Sequence, residues 1–137
     1  MRVQAHEEMM HAMKFFNHVI GRGGKVVLKD LKQLKTGWKS PLEAFQDAYK
    51  HEQFITGKIN DLTTIARQEK EYATEPLLAW FANEQIEEEA NAGKIAEQLA
   101  MVGSDKSGLL MLDRELAARA YPPGSPLDPV AAPGEAA

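Results

Sequence analysis

A chain of 137 residues can build one domain with one core, and 44% hydrophobic against 26% charged residues is the balance of an ordinary globular protein. The net charge of −4 comes with no concentrated basic patch beyond a loop-like stretch at 25–39, which argues against nucleic acid, and no apolar run approaches the ~20 residues of a membrane span. The absence of cysteine removes disulfides, thiol catalysis, iron–sulfur clusters and zinc ribbons, and with no secretory signal in view it fits a cytoplasmic protein.

The first predicted helix covers 1–20, with Ala5, Glu8, Ala12, Phe15 and Val19 as its seam and Met9, Met10, Met13 and Phe16 widening the apolar face. Gly21, Gly23 and Gly24 stop it. Its start carries no capping residue, the amphipathic pattern already runs at the first position, and at about 30 Å it is shorter than the two helices that follow. A short extended piece at 25–28 and a polar connection at 29–39, anchored by Trp38, read as a long crossover. Ser40 caps the second helix, with Pro41 in its first turn and Glu43 completing a capping box, and the helix runs to about Lys70. Its seam is Leu42, Phe45, Tyr49, Glu52, Ile55 or Thr56, Ile59, Leu62 and Ala66.

Thr74 is the predicted cap of the third helix, Pro76 sits in its first turn, and Gly103 ends it. Its seam is Leu77, Phe81, Glu84, Glu88, Ile95, Leu99 and Val102. The short connection makes the second and third helices antiparallel neighbours. A last helix spans about 107–119, with Leu109, Leu112, Leu116 and Ala120 on one face. The Pro-, Gly- and Ala-rich tail, 121–137, reads as disordered, leaving 1–120 as one helical domain. His6 and His51 read as surface or rim, and Trp80 with Phe81 as core.

The chemistry lies in the acids that interrupt these seams. A carboxylate among apolar neighbours costs several kcal/mol to bury unless it is protonated, paired or bound to a cation. Glu8 and His11 stand at i and i+3 on the first helix, Glu52 on the second, and Glu84, Glu87 and Glu88 on the third. A lone Glu-x-x-His is common on solvated surfaces, and a Glu87-Glu88-Glu89 run by itself is a solvated face. Three helices that each break their seam near the middle with an acid favour metal instead. Carboxylates with one imidazole form a ligand set for a pair of iron or manganese ions.

The stretches His6-Glu-Glu-Met-Met-His-Ala12, Tyr49-Lys-His-Glu-Gln53, Ala79-Trp-Phe-Ala-Asn-Glu-Gln-Ile-Glu-Glu-Glu89 and Leu112-Asp-Arg-Glu-Leu116 resemble the prokaryotic non-haem ferritins, in the family's order and spacing from about Val3 to Arg119. The resemblance implies an all-α, ferritin-like four-helix bundle with a long crossover and a short extra helix, assembled as a hollow homo-oligomeric shell of twenty-four subunits. It implies a ferroxidase that oxidises Fe(II) with dioxygen or hydrogen peroxide at a di-iron centre and stores the product as ferric mineral. By motif, Glu8 would bridge two irons, His11 would bind the first, Glu52 and Glu88 the second, and Gln85 would line the site. Glu7, Glu84 and Glu87 would form a third iron site that shares Glu88, and the last helix would line a channel.

The family's pattern also includes a helix ahead of the Glu-x-x-His helix, which supplies a further carboxylate. Its absence, together with the uncapped start, implies that Met1 is internal to a longer reading frame or that the gene is truncated. The chain as written would then expose an apolar seam and aggregate, become molten or oligomerise through it. The alternative function is therefore a catalytically impaired remnant that binds iron weakly or co-assembles with intact subunits. Bacterioferritins and rubrerythrins carry a second Glu-x-x-His where this chain has Gln85 and Glu88, which disfavours both. Haem is not expected, although Met9 stands where a bacterioferritin would hold it.

Overall fold

The computed structural model describes residues 2–32 and 34–121. Among them are four α-helices and no strand: α1 (Arg2–Gly21), α2 (Pro41–Gln68), α3 (Glu75–Val102) and α4 (Lys106–Ala117), with a 3-10 turn, Tyr72–Thr74, leading into α3. The tail expected to be disordered lies outside the described residues from 122 onward. The described residues fall within two compact units, Met1–Leu31 with Met111–Ala137 and Lys32–Leu110.

The second unit is built on an α2–α3 hairpin. Arg67 meets Glu75, Thr56 meets Glu89, Glu52 meets Gln85, and Tyr49 meets Gly93. From Arg67–Glu75 through Glu52–Gln85 to Tyr49–Gly93 one residue number falls as the other rises, so the helices run antiparallel, as the short connection requires. A Cβ on Gly93 would stand 3.4 Å from the Tyr49 ring, an ordinary packing distance, so this position of α3 faces Tyr49. Ile59 and Ala66 of α2 and Leu78, Phe81 and Leu99 of α3 are buried. Trp80 packs edge-on against Phe81, with ring centroids 4.9 Å apart, in keeping with a packing role for both.

The α3 seam keeps Phe81, Glu88 and Leu99 of the expected one and takes Leu78 and Gln85 in place of Leu77 and Glu84. The buried positions are Leu78, Phe81, Gln85, Glu88 and Leu99, whereas Leu77 and Glu84 are only half-buried. Periodicity fixes the repeat of a face but not which of two adjacent rows the partner helix covers, and the α2 contacts choose the row of Gln85.

The helix ends follow from local chemistry. Ser40 Oγ accepts the Glu43 N–H at 3.1 Å, as expected of the α2 cap. Glu43 reaches back one residue further than a capping box does, accepting the Lys39 N–H at 2.6 Å. Thr74, expected to cap α3, has helical dihedrals and makes no side-chain capping bond, because the 3-10 turn runs straight into the helix. Asp105 caps α4 instead of Ser107 being its first residue, with Oδ2 accepting the Gly108 N–H at 2.8 Å.

Helices α1 and α2 end in the same double-bonded motif. Gly24 N–H donates to Val19 O and Gly23 N–H to Ile20 O; Glu71 N–H donates to Ala66 O and Lys70 N–H to Arg67 O. The left-handed residue is Gly23 (φ 75°) in one and Lys70 (φ 58°) in the other. A lysine side chain crowds the backbone in that conformation, so Lys70→Gly should raise stability by about 1 kcal/mol, read as a higher denaturant midpoint at unchanged slope.

The connection before α2 is irregular but pinned. Lys35 Nζ lies 2.6 Å from Asp47 Oδ2 and 2.9 Å from Glu43 Oε1, and Trp38 Nε1–H donates to Asp47 Oδ2 at 2.9 Å. Trp38 is thus the anchor expected of it. Lys35 and then Trp38 hold the Asp47 carboxyl below the ordinary aspartate range, and Lys35 and then the Lys39 N–H do the same for Glu43. Asp47 and then Glu43 raise Lys35. Depressed carboxyls stabilise the clamp above their ordinary pKa, and that contribution is lost as pH falls through the depressed values. The raised lysine contributes below its ordinary pKa and is lost as pH climbs through the raised value. The Trp38 indole N–H resonance should therefore stay fixed through neutral pH, moving on the acid side only below the ordinary aspartate range as Asp47 protonates and on the alkaline side only above the ordinary lysine range.

In the first unit, Val3, His6 and Leu112 are buried. Arg119 donates to Gln4 Oε1 at 2.9 Å and to Glu7 Oε2 at 2.6 Å, and His6 meets the Tyr121 ring edge-on at 6.5 Å between centroids. His6 is therefore not the surface residue expected, since segment 119–121 covers the first two turns of α1. Full burial on α1 stops there, and Met9, Met10 and Met13, expected to pack, are exposed.

Candidate functional site

The acid expected to interrupt the α2 seam does so. Glu52 is half-buried, and the Gln85 amide donates from Nε2 to its backbone oxygen at 3.1 Å and to its Oε2 at 3.3 Å. Gln85 is 4% exposed, and Glu88, one turn further along the same face of α3, is 8% exposed. A carboxylate that far from water needs compensating partners or a cation. Glu52, Gln85 and Glu88 thus line one stretch of the α2–α3 hairpin with three hard oxygen-bearing side chains, the donor type that suits iron and manganese.

Glu8 and His11 form the second element. His11 Nδ1 stands 3.5 Å from Glu8 Oε2, and Gln4 Nε2 donates to Glu8 Oε1 at 2.9 Å. The His11 side chain is 14% exposed and that of Glu8 is 50% exposed. The α1 seam expected to hold Glu8 leaves its side chain half exposed, while Val3 and His6 are the buried residues of α1.

Glu7, Glu84 and Glu87 are the residues expected at a third position. Glu7 is tied to Arg119, Glu84 is half-buried, and Glu87 is exposed. Among the described residues no three His, Asp or Glu side chains converge as a metal-binding group. Within the first unit Glu8 stands beside His11, and within the second Glu52 stands beside Gln85.

Two partners escaped the sequence reading. Thr56 Oγ1 donates to Glu89 Oε1 at 2.5 Å and lies 3.4 Å from Gln85 Nε2. Thr56 is four residues beyond Glu52, and Glu89 four beyond Gln85, so each shares a face with the residue it supports. That spacing was the available signal, but the register of α2 on α3 was needed to read it. Arg119 on Glu7 joins positions 112 apart in sequence, which no local pattern announces.

An all-α arrangement with Glu-x-x-His on one helix and a Glu52–Gln85–Glu88 cluster on a helical hairpin defines a ferritin-like carboxylate protein. Residues 1–102 match the family model described as "Ferritin-like domain", and the chain belongs to that family. It is 36% identical over 118 residues to a bacterial non-heme ferritin of Staphylococcus aureus (strain USA300), covering 86% of this chain and 71% of that one. Among solved structures it resembles an engineered closed form of the Archaeoglobus fulgidus ferritin, with TM-score 0.85, 46% identity, and coverage of 88% of this chain and 73% of the other. An open-pore ferritin from the same archaeon matches with TM-score 0.83 and 47% identity, covering 86% and 73%. Among the described residues no helix is long and apolar enough to cross a membrane.

Proposed function

We propose that this chain stores iron, taking up Fe(II), oxidising it at a carboxylate-rich di-iron site and retaining the ferric product in a homo-oligomeric shell. The observation that carries the reading is Glu52 with Gln85 and the nine-tenths-buried Glu88 on the α2–α3 hairpin of a ferritin-family chain. Glu52 and Glu88 would hold one ferrous ion and His11 the other, with Glu8 shared between the two, and Gln85 would line the site; Glu7, Glu84 and Glu87 would serve a third iron. Anionic oxygens stabilise Fe(III) over Fe(II), which favours oxidation. Two ferrous ions together supply the two electrons that take dioxygen, with two protons, to hydrogen peroxide, or hydrogen peroxide to water. The lack of cysteine suits such a protein to the cytoplasm. Exposed Met9, Met10, Met13, Phe16 and Ile20 on α1 give an apolar face consistent with self-assembly.

A second reading is the alternative drawn from the sequence: a subunit with impaired catalysis that binds iron weakly or co-assembles with intact subunits. Aerobic oxidation of Fe(II) by the purified chain, followed against a protein-free control, separates the two. Faster oxidation supports the first reading, and a rate equal to the control supports the second.

A further inference from the structure

Gln85 offers two amide protons, and three acceptors surround them. The Glu52 backbone oxygen is nearest at 3.1 Å, and Glu52 Oε2 at 3.3 Å and Thr56 Oγ1 at 3.4 Å are nearly equidistant. Thr56 can accept because its single proton is already directed to Glu89 Oε1 at 2.5 Å, a length typical of a hydroxyl bound to a carboxylate. A hydroxyl committed in that way turns only lone pairs toward Gln85, so the amide nitrogen rather than its oxygen faces the Glu52–Thr56 side.

We propose that Thr56, locked as an acceptor by Glu89, is a positioning residue that lets the Glu52 carboxylate exchange its hydrogen bond for iron. The inference rests on the iron-binding reading above. When Glu52 Oε2 turns to a ferrous ion, the second Gln85 N–H keeps its proton and donates to Thr56 Oγ1 instead, and no buried N–H is stranded. The Gln85 amide stays in place with its oxygen on the other side. Without the Thr56 oxygen, both remaining acceptors belong to Glu52, and metal binding would leave a buried amide proton unsatisfied, which is costly.

The test is anaerobic calorimetric titration of the full chain with Fe(II), alongside thermal melts. Thr56→Val, which keeps the shape, should weaken Fe(II) binding about tenfold and raise the Fe(II) concentration for half-maximal oxidation while sparing the saturating rate. Thr56→Ser should restore binding to within about twofold, a rescue that a packing role for the lost methyl would not give. Glu89→Gln loosens the lock and should weaken binding by a smaller factor, which serves if Thr56→Val fails to fold. Wild-type affinity in folded Thr56→Val, or in Glu89→Gln where Thr56→Val does not fold, would overturn the proposal alone. A wild-type chain that binds no Fe(II), or a Glu52→Gln chain that binds it as well as wild type, would overturn the iron-site reading and the positioning role with it.

Discussion

Glu52→Gln should lower the initial rate of Fe(II) oxidation by at least about 100-fold, since losing even an outer-shell partner of a metal site costs 10–100-fold. The change removes a charge and keeps the shape. The new amide can turn its oxygen toward Gln85 Nε2, which now reaches Glu52 Oε2 at 3.3 Å, so the α2–α3 packing persists. The melting temperature should stay within a few degrees of wild type while oxidation collapses. A parallel loss of both would mean that Glu52 is a structural acid only. Stopped-flow absorbance of the ferric product, at Fe(II) concentrations of a few per chain, reads the rate directly.

Leu78→Ala should have the largest effect on stability. Leu78 is 1% exposed, the most deeply buried large side chain among the described residues, in the first turns of α3. Truncating a leucine in such a site costs about 3 kcal/mol, from lost transfer energy and the cavity left behind. With few fully buried apolar side chains among the described residues, that is a large share of the total, and a fall in melting temperature of about 10 °C follows. Leu77→Ala is the control: Leu77 is only half-buried, and its loss should cost clearly less. Equal effects from the pair would restore the seam expected from periodicity. Differential scanning calorimetry of the two variants gives the comparison.

The pair Leu77 and Leu78 also marks where sequence reading stopped. The helices, their order, the crossover and the antiparallel hairpin were legible because caps, glycines and apolar periods are local signals. Ser40, Gly23 and Gly103 act where their chemistry says they should. The rotation of a helix is set by its neighbour, and two adjacent rows of α3 are both apolar enough to be buried. Choosing between Glu84 and Gln85 needed the α2 register. Glu52 was legible because a carboxylate in an otherwise apolar row of α2 has no cheap explanation. Thr56 and Glu89 were not, because a threonine and a glutamate are unremarkable until the two helices bring them within 2.5 Å. On α1 the reading put Glu8 in the seam, and the contact of Arg119 and Tyr121 with the first two turns, invisible to local pattern, turned a different row inward.

The most direct measurement is size-exclusion chromatography with light scattering on the purified chain, after anaerobic loading with Fe(II) and exposure to air, with iron assayed across the elution. Iron storage requires a shell-sized particle that carries many irons per chain and whose iron oxidises faster than in the protein-free control. A small or aggregated species, with iron that oxidises no faster than the control and elutes apart from the protein, would contradict it.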